Sequence, residues 1–440
     1  MSTNRLKLEV NALKEGMFVA DLDCPWHETP FPLQGFYIRM DDDVKALSEY
    51  CKFVYVDVKR EKVKTVHANH AVPSSEKGKK GISGSSENNP EIELPPIVVK
   101  APHHYEASVS INKEVARVEK LHRHVYDAID QVFLTVEQGG DVSIKETESV
   151  AKGMVESVIR NPDALVWLSK MNEIDAYSYQ HSVKSSIWAL VLGRHMGLKK
   201  EMLETLALGV LLSHIGKARV AQKVLDAYPD LESSQLSAYQ QYVEKSVELL
   251  TEIEGLPSGV ASIVEFHQER HNGTGYPKGV TGERIPLLAK IAGLVDYYQE
   301  LITPRDDELG MSPYDAVARL YELRNIAFQK DLVERFIEAV GVYPTGTLVE
   351  LSSEEVGIVT GHNEDRRLQP KVMVVLDAQK RAMKCGKVVD LKEVNRDRNV
   401  LSIKDSLPKG AYDIDEQRYL LSGATSKWSW RHLASSFASG

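Results

Sequence analysis

Two kinds of hydrophobic pattern alternate along the chain. Short apolar runs rich in aromatic and β-branched residues, separated by turn residues, lie at 17–20, 35–38 and 53–58, and again at 347–351, 355–359 and 371–376. Such runs predict strands. Between the two regions apolar residues recur three or four positions apart, as at Val183, Ile187 and Leu190, which predicts amphipathic helices. The sequence therefore predicts a mainly α protein: a helical bundle between a small N-terminal α+β domain and a small C-terminal β appendage.

Composition divides the chain further. Residues 62–100 are rich in Ser, Gly, Lys, Asn, Glu and Pro, which predicts a disordered linker, and the helical spacing over 106–136 predicts a connecting helix. Bundle helices are expected over 236–252, 259–267, 287–301, 313–323 and 330–340. The predicted units are a strand-rich domain (1–65), the linker (66–100), the connecting helix (101–143), the bundle (144–343), the β appendage (344–420) and a tail with Trp428 and Trp430 (421–440).

Length, charge and cysteine content narrow the class of protein. At 440 residues with 42% hydrophobic residues, the chain is long enough for two or three domains. A net charge of -9 disfavours binding to duplex nucleic acid. No apolar run is long enough to span a membrane, and the first eleven residues do not resemble a signal peptide. The three cysteines lie far apart in sequence, which argues against a disulfide framework, so we expect a cytoplasmic protein.

Two motifs carry candidate chemistry. Residues 212–217 read L-S-H-I-G-K, and residues 266–277 read F-H-Q-E-R-H-N-G-T-G-Y-P. Together they resemble the motifs of the HD-GYP family of cyclic di-GMP phosphodiesterases, and the first sixty residues resemble a small domain of unknown function that often precedes HD-GYP domains. The resemblance implies an HD-type helical bundle over 144–343 and a metal-dependent hydrolytic site.

The resemblance also implies a partly dismantled metal site. Three of the family's metal-binding positions keep their residues, at His181, His267 and Asp296. The family's His-Asp dyad falls on Ser213 and His214, a further histidine falls on Tyr242, and the second histidine of the family's His-His-Glu falls on Gln268. A neutral imidazole has one lone pair and cannot bridge two ions as a carboxylate does, and a phenol is a poor ligand at neutral pH.

The residues that survive leave two alternatives open. His181, His267 and Asp296, with or without His214, would suffice for one divalent ion, Fe, Mn or Zn, held by two histidines and one carboxylate. Alternatively, the histidines are hydrogen-bonded core residues and no metal binds. A carboxylate within the apolar helix around Asp296 needs a partner in either case.

The glycine-rich loop is the most specific part of the resemblance. It consists of Asn272, Gly273, Thr274, Gly275, Tyr276, Pro277 and Lys278. Alone, such a string is a tight turn. Within the family, it implies a loop that flanks the ligand site and contacts diguanylate cyclase domains. Lys217, Arg270 and Lys278 are candidate contacts for phosphate oxygens, or else ordinary surface cations.

Three functional hypotheses follow. The first is a degenerate HD-GYP protein of cyclic di-GMP signalling, inactive or very weak as an enzyme, that binds the nucleotide, a diguanylate cyclase domain or another signalling protein. The second is an active phosphodiesterase with a reorganised metal site, in which Lys217 would contact phosphate. The third is a scaffold that senses no nucleotide. Without a second ion, both activation of water and neutralisation of the phosphodiester are weakened, which favours the first.

Overall fold

The fold is that of a computed structural model. It describes residues 5–24, 26, 29, 31, 35–38, 41–57, 92–171, 177–228, 231–303, 310–363, 369–394, 401–407 and 410–414. The predicted Trp-containing tail and most of the predicted linker lie outside these residues. No helix in the described part of the chain is both long and apolar enough to cross a lipid bilayer.

The N-terminal unit is a four-stranded antiparallel sheet with one helix. Its elements are β1 (Arg5–Glu9), β2 (Phe18–Leu22), β3 (Phe36–Tyr37), α1 (Asp41–Tyr50) and β4 (Phe53–Asp57), and the strand order is β1-β4-β2-β3. Alternate residues of the strands, such as Val54 and Val56 of β4, point into the core.

Residues 92–105 form an extended segment bound to the helical domain. The Ile92 N–H donates to the carbonyl of Asn325, and the Ile97 N–H donates to the carboxylate of Asp331 at 3.0 Å. The His103 N–H donates to Gly197, whose positive φ allows the preceding helix to end there. Residues 92–100 of the predicted disordered linker are therefore ordered, because their backbone makes hydrogen bonds with the helical domain.

Twelve helices, α2 to α13, form the central part of the described chain. They are α2 (Ile111–Glu137), α3 (Lys145–Arg160), α4 (Asp163–Met171), α5 (Tyr177–His195), α6 (Lys200–Leu212), α7 (Gln222–Asp226), α8 (Ser233–Gln240), α9 (Tyr242–Thr251), α10 (Val260–Phe266), α11 (Leu287–Ile302), α12 (Pro313–Glu322) and α13 (Lys330–Val340). The helix predicted over 236–252 is broken at Gln241. Its N–H is shared between the carbonyls of Ser237 and Tyr239, which tightens the turn.

The C-terminal unit is an antiparallel sheet that packs on the helices. Its elements are β5 (Leu348–Leu351), β6 (Val356–Gly361), β7 (Lys371–Leu376), β8 (Ala382–Asp390), α14 (Leu391–Val394) and β9 (Ile403–Leu407), in the strand order β8-β7-β6-β5-β9. Its buried face includes Ile358 and Met373 and shares a cluster with Trp167 of α4. The predicted fold class, a mainly α bundle with a small α+β unit before it and strands after it, is confirmed.

Candidate functional site

The candidate residues come together where α5, α6, α10 and α11 pack against each other. α11 is almost entirely apolar at its centre, and Asp296 is buried within that stretch. His181 lies on the facing α5, while Ser213 and His214 follow the end of α6. Tyr242 begins α9, and His267 and Gln268 follow α10. Helix packing therefore places all seven sequence-predicted positions in one buried cluster.

Asp296 is the centre of this cluster, and both of its carboxylate oxygens have side-chain partners. Its Oδ1 lies 2.7 Å from Nε2 of His181 and 3.3 Å from Nε2 of His214. Its Oδ2 accepts a hydrogen bond from the amide of Gln268 at 2.7 Å. Because an ionised carboxylate only accepts hydrogen bonds, both imidazoles present N–H groups to it. The buried charge is thus compensated within the protein.

The ionisation states support this assignment. Burial, followed by the charge of Lys217, lowers the pKa of His214 well below its ordinary value. Burial acts to raise the pKa of Asp296, but the imidazoles of His214 and His181 outweigh it and hold that pKa well below the usual range. Asp296 is therefore ionised and His214 is neutral at pH 7. Nδ1 of neutral His214 then accepts from the Ser182 hydroxyl at 3.2 Å.

His267 is bound on both ring nitrogens. Its Nδ1 donates to the carbonyl of Val264 at 2.7 Å, so its Nε2 accepts from the hydroxyl of Tyr242 at 3.0 Å. Burial lowers the pKa of His267 to about 4, and burial raises the pKa of Tyr242 well above 10.0. The neutral imidazole and the neutral phenol therefore form a matched acceptor and donor.

The polar side chains of Ser213 and Gln268 also have hydrogen-bond partners within the protein. The Ser213 hydroxyl donates to the carbonyl of Val210 at 2.8 Å, as in a helix end that bonds its own backbone. The Gln268 side-chain oxygen accepts from the guanidinium of Arg270 at 2.9 Å. Arg270 is itself buried and also donates to the carbonyls of His267 and Glu269, at 3.2 and 3.1 Å. Arg270 thus fixes the Gln268 side chain and the backbone of residues 267–269.

A wall of tyrosines covers one side of the cluster. The rings of Tyr228 and Tyr239 stack with centroids 4.6 Å apart, and Tyr242 meets Tyr239 edge-on at 5.5 Å and Tyr276 at 6.4 Å. Nζ of Lys217 lies 4.9 Å from the centroid of the Tyr242 ring, within cation–π distance. The sequence-predicted phosphate contact Lys217 therefore lies against aromatic faces of this wall.

The glycine-rich loop is fixed by the carboxylate of Glu269. That carboxylate accepts from the backbone N–H groups of Lys278, Gly279 and Val280, at 2.7, 3.1 and 3.0 Å. A Cβ at Gly275 would lie 2.3 Å from the backbone nitrogen of Arg270, so only glycine fits there.

The outer part of the loop reaches the surface. The Asn272 side-chain oxygen accepts from both the N–H and the hydroxyl of Thr274. Lys278 is exposed and its Nζ lies 2.5 Å from Glu265. The loop therefore has a rigid base and an accessible rim, which also includes Gly273 and Pro277.

The donor set does not fit a two-metal centre. Such a centre needs several histidines and carboxylates with at least one carboxylate bridge. Within the described part of the chain, His181, His214 and Asp296 have ligand atoms within 4.8 Å of one another. A phenol and an amide stand at two other positions, and the Nε2 lone pair of His267 is used by Tyr242.

Several residues that support the cluster lie outside the motifs on which the family resemblance rests, so the sequence did not predict them. The Ser182 hydroxyl donates to His214, and Tyr228 donates to the partly buried carboxylate of Glu300. Among these residues, only Tyr239 has a sequence signal: it lies three positions before Tyr242, which places the two aromatic rings next to each other on a helical surface.

Comparison with known families places two models along the chain. The model described as "HD domain" matches residues 163–328, and the model described as "Domain of unknown function (DUF3391)" matches residues 5–147. The first spans the buried cluster and the glycine-rich loop. The second spans the N-terminal sheet, the extended segment and the connecting helix α2.

Similar proteins are cyclic-dinucleotide phosphodiesterases by name. A cyclic di-GMP phosphodiesterase of Pseudomonas aeruginosa is 26% identical over 93% of this chain and 94% of its own length. The cyclic di-GMP phosphodiesterase PdeB of Borreliella burgdorferi is 24% identical over 56% of this chain and 64% of its own. A 3'3'-cGAMP-specific phosphodiesterase of Vibrio cholerae is 31% identical over 35% of each chain.

A solved structure from Bdellovibrio bacteriovorus, described as an HDG"Y"P protein, has a TM-score of 0.43 and 15% identity over 76% of this chain and 98% of its own. The motifs at 212–217 and 266–277, the two matching family models and the relatives agree with one another. The chain carries an HD domain and the domain of unknown function before it, and its predicted resemblance to the HD-GYP family of cyclic di-GMP phosphodiesterases is confirmed.

Proposed function

We propose that this protein acts in cyclic di-GMP signalling by binding, without significant phosphodiesterase turnover. It recognises the nucleotide, or a diguanylate cyclase domain or other signalling protein, through the surface around its glycine-rich loop. The proposal includes the cytoplasmic location expected from the sequence. The relatives' activity supports the signalling role, whereas the residues of this chain support the loss of hydrolysis.

One observation supports the loss of hydrolysis: an amide and a phenol stand where the resemblance implies metal ligands. The Gln268 amide donates to Asp296 at 2.7 Å, and the Tyr242 hydroxyl donates to Nε2 of His267 at 3.0 Å. Neither side chain can replace a histidine ligand or a bridging carboxylate.

The loop supports a binding role because its construction does not depend on the changed positions. Glu269 fixes the loop backbone through three N–H groups, and Gly275 allows the close contact beneath it. The exposed rim carries Lys278, a cation that an anionic ligand or an acidic partner surface could engage. Recognition and chemistry are therefore separable in this domain.

Hydrolysis and binding assays test the proposal together. Purified protein incubated with cyclic di-GMP and Mn²⁺ or Fe²⁺ should leave the nucleotide intact, while the similar Pseudomonas aeruginosa phosphodiesterase serves as the positive control under the same conditions. Calorimetry should show binding of cyclic di-GMP or of a diguanylate cyclase domain. Release of linear pGpG or GMP at enzyme-like rates contradicts the proposal, and absence of all binding favours a scaffold that senses no nucleotide.

A second candidate function rests on the three donors that do converge. His181, His214 and Asp296 have ligand atoms within 4.8 Å of one another, which suits a single Fe, Mn or Zn ion in the manner of two histidines and one carboxylate. This alternative predicts tightly held metal in the purified protein and loss of that metal in His181→Ala and Asp296→Ala. Metal analysis of the three proteins therefore decides between the two functions.

A further inference from the structure

Two of the three cysteines meet in the N-terminal unit although they are 27 positions apart in sequence. Sγ of Cys24 lies 3.5 Å from Sγ of Cys51, and no disulfide bond joins them. Cys24 follows β2, and Cys51 stands between α1 and β4. The sulfurs are therefore in contact, and a rotation of one side chain could bring them to the bond distance of about 2.05 Å.

The backbone around the pair is held by the sheet. Leu22 of β2 pairs with Val54 of β4 in antiparallel register. Beyond this pair, one carboxylate oxygen of Asp23 accepts from the N–H groups of Lys52 and Phe53, at 3.0 and 3.3 Å. The two chain segments that carry the cysteines are thus fixed side by side, so bond formation needs little backbone movement.

The two thiols differ in access. Cys24 is partly exposed, whereas Cys51 is only 5% exposed. Burial, followed by contact with Cys24, raises the pKa of Cys51 to about 12. The accessible sulfur of Cys24 is therefore the one that a dissolved oxidant reaches first, and the protected sulfur of Cys51 lies behind it.

We propose that Cys24 and Cys51 form a reversible redox site that takes a small hydroperoxide as oxidant. In the first step the Cys24 sulfur attacks the peroxide oxygen, the O–O bond breaks, and Cys24 sulfenic acid and water (or an alcohol) form. In the second step Cys51 attacks the sulfenic sulfur, its proton leaves with the hydroxyl group as water, and the S–S bond forms. The two sulfurs lose two electrons in total to the peroxide, and a dithiol reverses the change.

A metal site is the competing use of the same residues, and the geometry favours it less. Asp23, Cys24 and Cys51 offer three ligand atoms within 4.8 Å, but a structural zinc site takes four. The Asp23 carboxylate is also engaged with two backbone N–H groups. The two sulfurs, in contrast, need only each other.

The bridge would act on α1, the helix between the sheet and the helical domain. Cys51 follows the last residue of α1, while Asp43 near its start makes a buried ion pair of 3.3 Å with Arg324 of the helical domain. Oxidation therefore fixes the C-terminal end of a helix whose other end contacts the HD domain. We expect slower amide hydrogen exchange in residues 41–50 of the oxidised protein.

Mass spectrometry of the full chain tests the site. After treatment with hydrogen peroxide, wild type and the matched control Cys385→Ser should each lose the mass of two hydrogens, and non-reducing peptide mapping should join the Cys24 and Cys51 peptides. Cys24→Ser should not form the bridge. Cys51→Ser should accumulate a sulfenic acid at Cys24 that dimedone traps. Dithiothreitol should restore the wild-type mass and the faster exchange of residues 41–50.

Three results would overturn the proposal. In the first, both thiols of the folded protein still react with a thiol reagent after peroxide treatment. In the second, the bridge joins either residue to Cys385. In the third, purified protein holds one equivalent of zinc that Cys24→Ser loses. Circular dichroism of the serine variants separates each of these from simple misfolding.

Discussion

The hydroxyl of Tyr242 donates to Nε2 of His267 over 3.0 Å and occupies the lone pair through which this histidine would bind a metal ion. The other ring nitrogen donates to Val264, so the imidazole has no further bond to offer in the plane of its ring. The resemblance aligns this position with a metal-binding histidine. In this chain the position holds a phenol that satisfies the neighbouring imidazole.

Tyr242→Phe should lower the free energy of unfolding by about 1 to 3 kcal/mol, because the buried Nε2 of His267 loses its donor. Urea denaturation followed by circular dichroism measures the change. Tyr50→Phe, at an exposed tyrosine of α1, is the matched control and should change the free energy by less than about 0.5 kcal/mol. Equal stability of the two variants would show that the Tyr242 bond is not formed.

Asp296→Asn keeps the size of the side chain but leaves one carbonyl oxygen to face three donors. The free energy of unfolding should fall by about 1 to 3 kcal/mol in protein treated with a chelator, because a buried donor of the network loses its acceptor. Asp141→Asn, at an exposed position, is the control. An unchanged midpoint for Asp296→Asn would indicate that this carboxylate is not bound by His181, His214 and Gln268.

Restoring the family's residues should restore a metal site. The variant that combines Ser213→His, His214→Asp, Tyr242→His and Gln268→His regains the ligand pattern, including a carboxylate that can bridge. We expect it to bind about one to two Mn or Fe ions per chain, measured by elemental analysis, and to hydrolyse cyclic di-GMP. Adding Asp296→Asn to this variant should remove the metal.

The matched control for restoration changes only residues outside the ligand pattern. Ser182→Ala and Tyr239→Phe alter neighbours of the cluster and should gain no metal. If the variant with four substitutions folds and binds metal but leaves cyclic di-GMP intact, the tyrosine wall is responsible for the loss of activity. A folded variant that binds no metal would show that the helices no longer allow the ligand geometry.

The fold class was predictable from the sequence because hydrophobic spacing within each segment determines whether that segment forms a helix or a strand. The spacing of Val183, Ile187 and Leu190 defines a helix face, and the runs around Val54 and Val372 define strands. The break at Gln241 was missed, since a shared hydrogen bond at one residue leaves the hydrophobic spacing on both sides nearly unchanged. The predicted resemblance to the HD-GYP family was confirmed by the matching models and relatives.

The site was predictable as a set of positions but not as a set of bonds. The resemblance to the family implies changed positions at Ser213, His214, Tyr242 and Gln268. It could not show that Gln268 donates to Asp296, because that depends on how α10 and α11 pack. The contact between Cys24 and Cys51 was equally hidden, since strand register and not sequence distance brings them together. The redox role of Cys24 and Cys51 and the metal-binding role of the site residues stay predictions.

His122 of α2 is a buried imidazole outside the candidate site. It is 2% exposed, its ring lies 4.9 Å from that of Tyr126, and its Nε2 has no hydrogen-bond partner among the described residues. Burial, followed by the charge of Lys184, lowers the pKa of His122 to about 4. In the unfolded chain this pKa returns to about 6.5, so the unfolded state binds the proton more readily.

This difference should make the protein less stable as the pH falls. Above pH 6.5, His122 does not lower the free energy of unfolding. Between about pH 6.5 and pH 4 it lowers this free energy by about 1.36 kcal/mol for each unit of pH. His122→Leu should therefore lose about 2 kcal/mol less stability than wild type between pH 7 and pH 4.5, measured by urea denaturation at each pH. His267 titrates in the same window in both proteins and cancels in the comparison. His124→Leu, exposed on the same helix, should keep the wild-type pH dependence, and identical curves for all three proteins would contradict a neutral, buried His122.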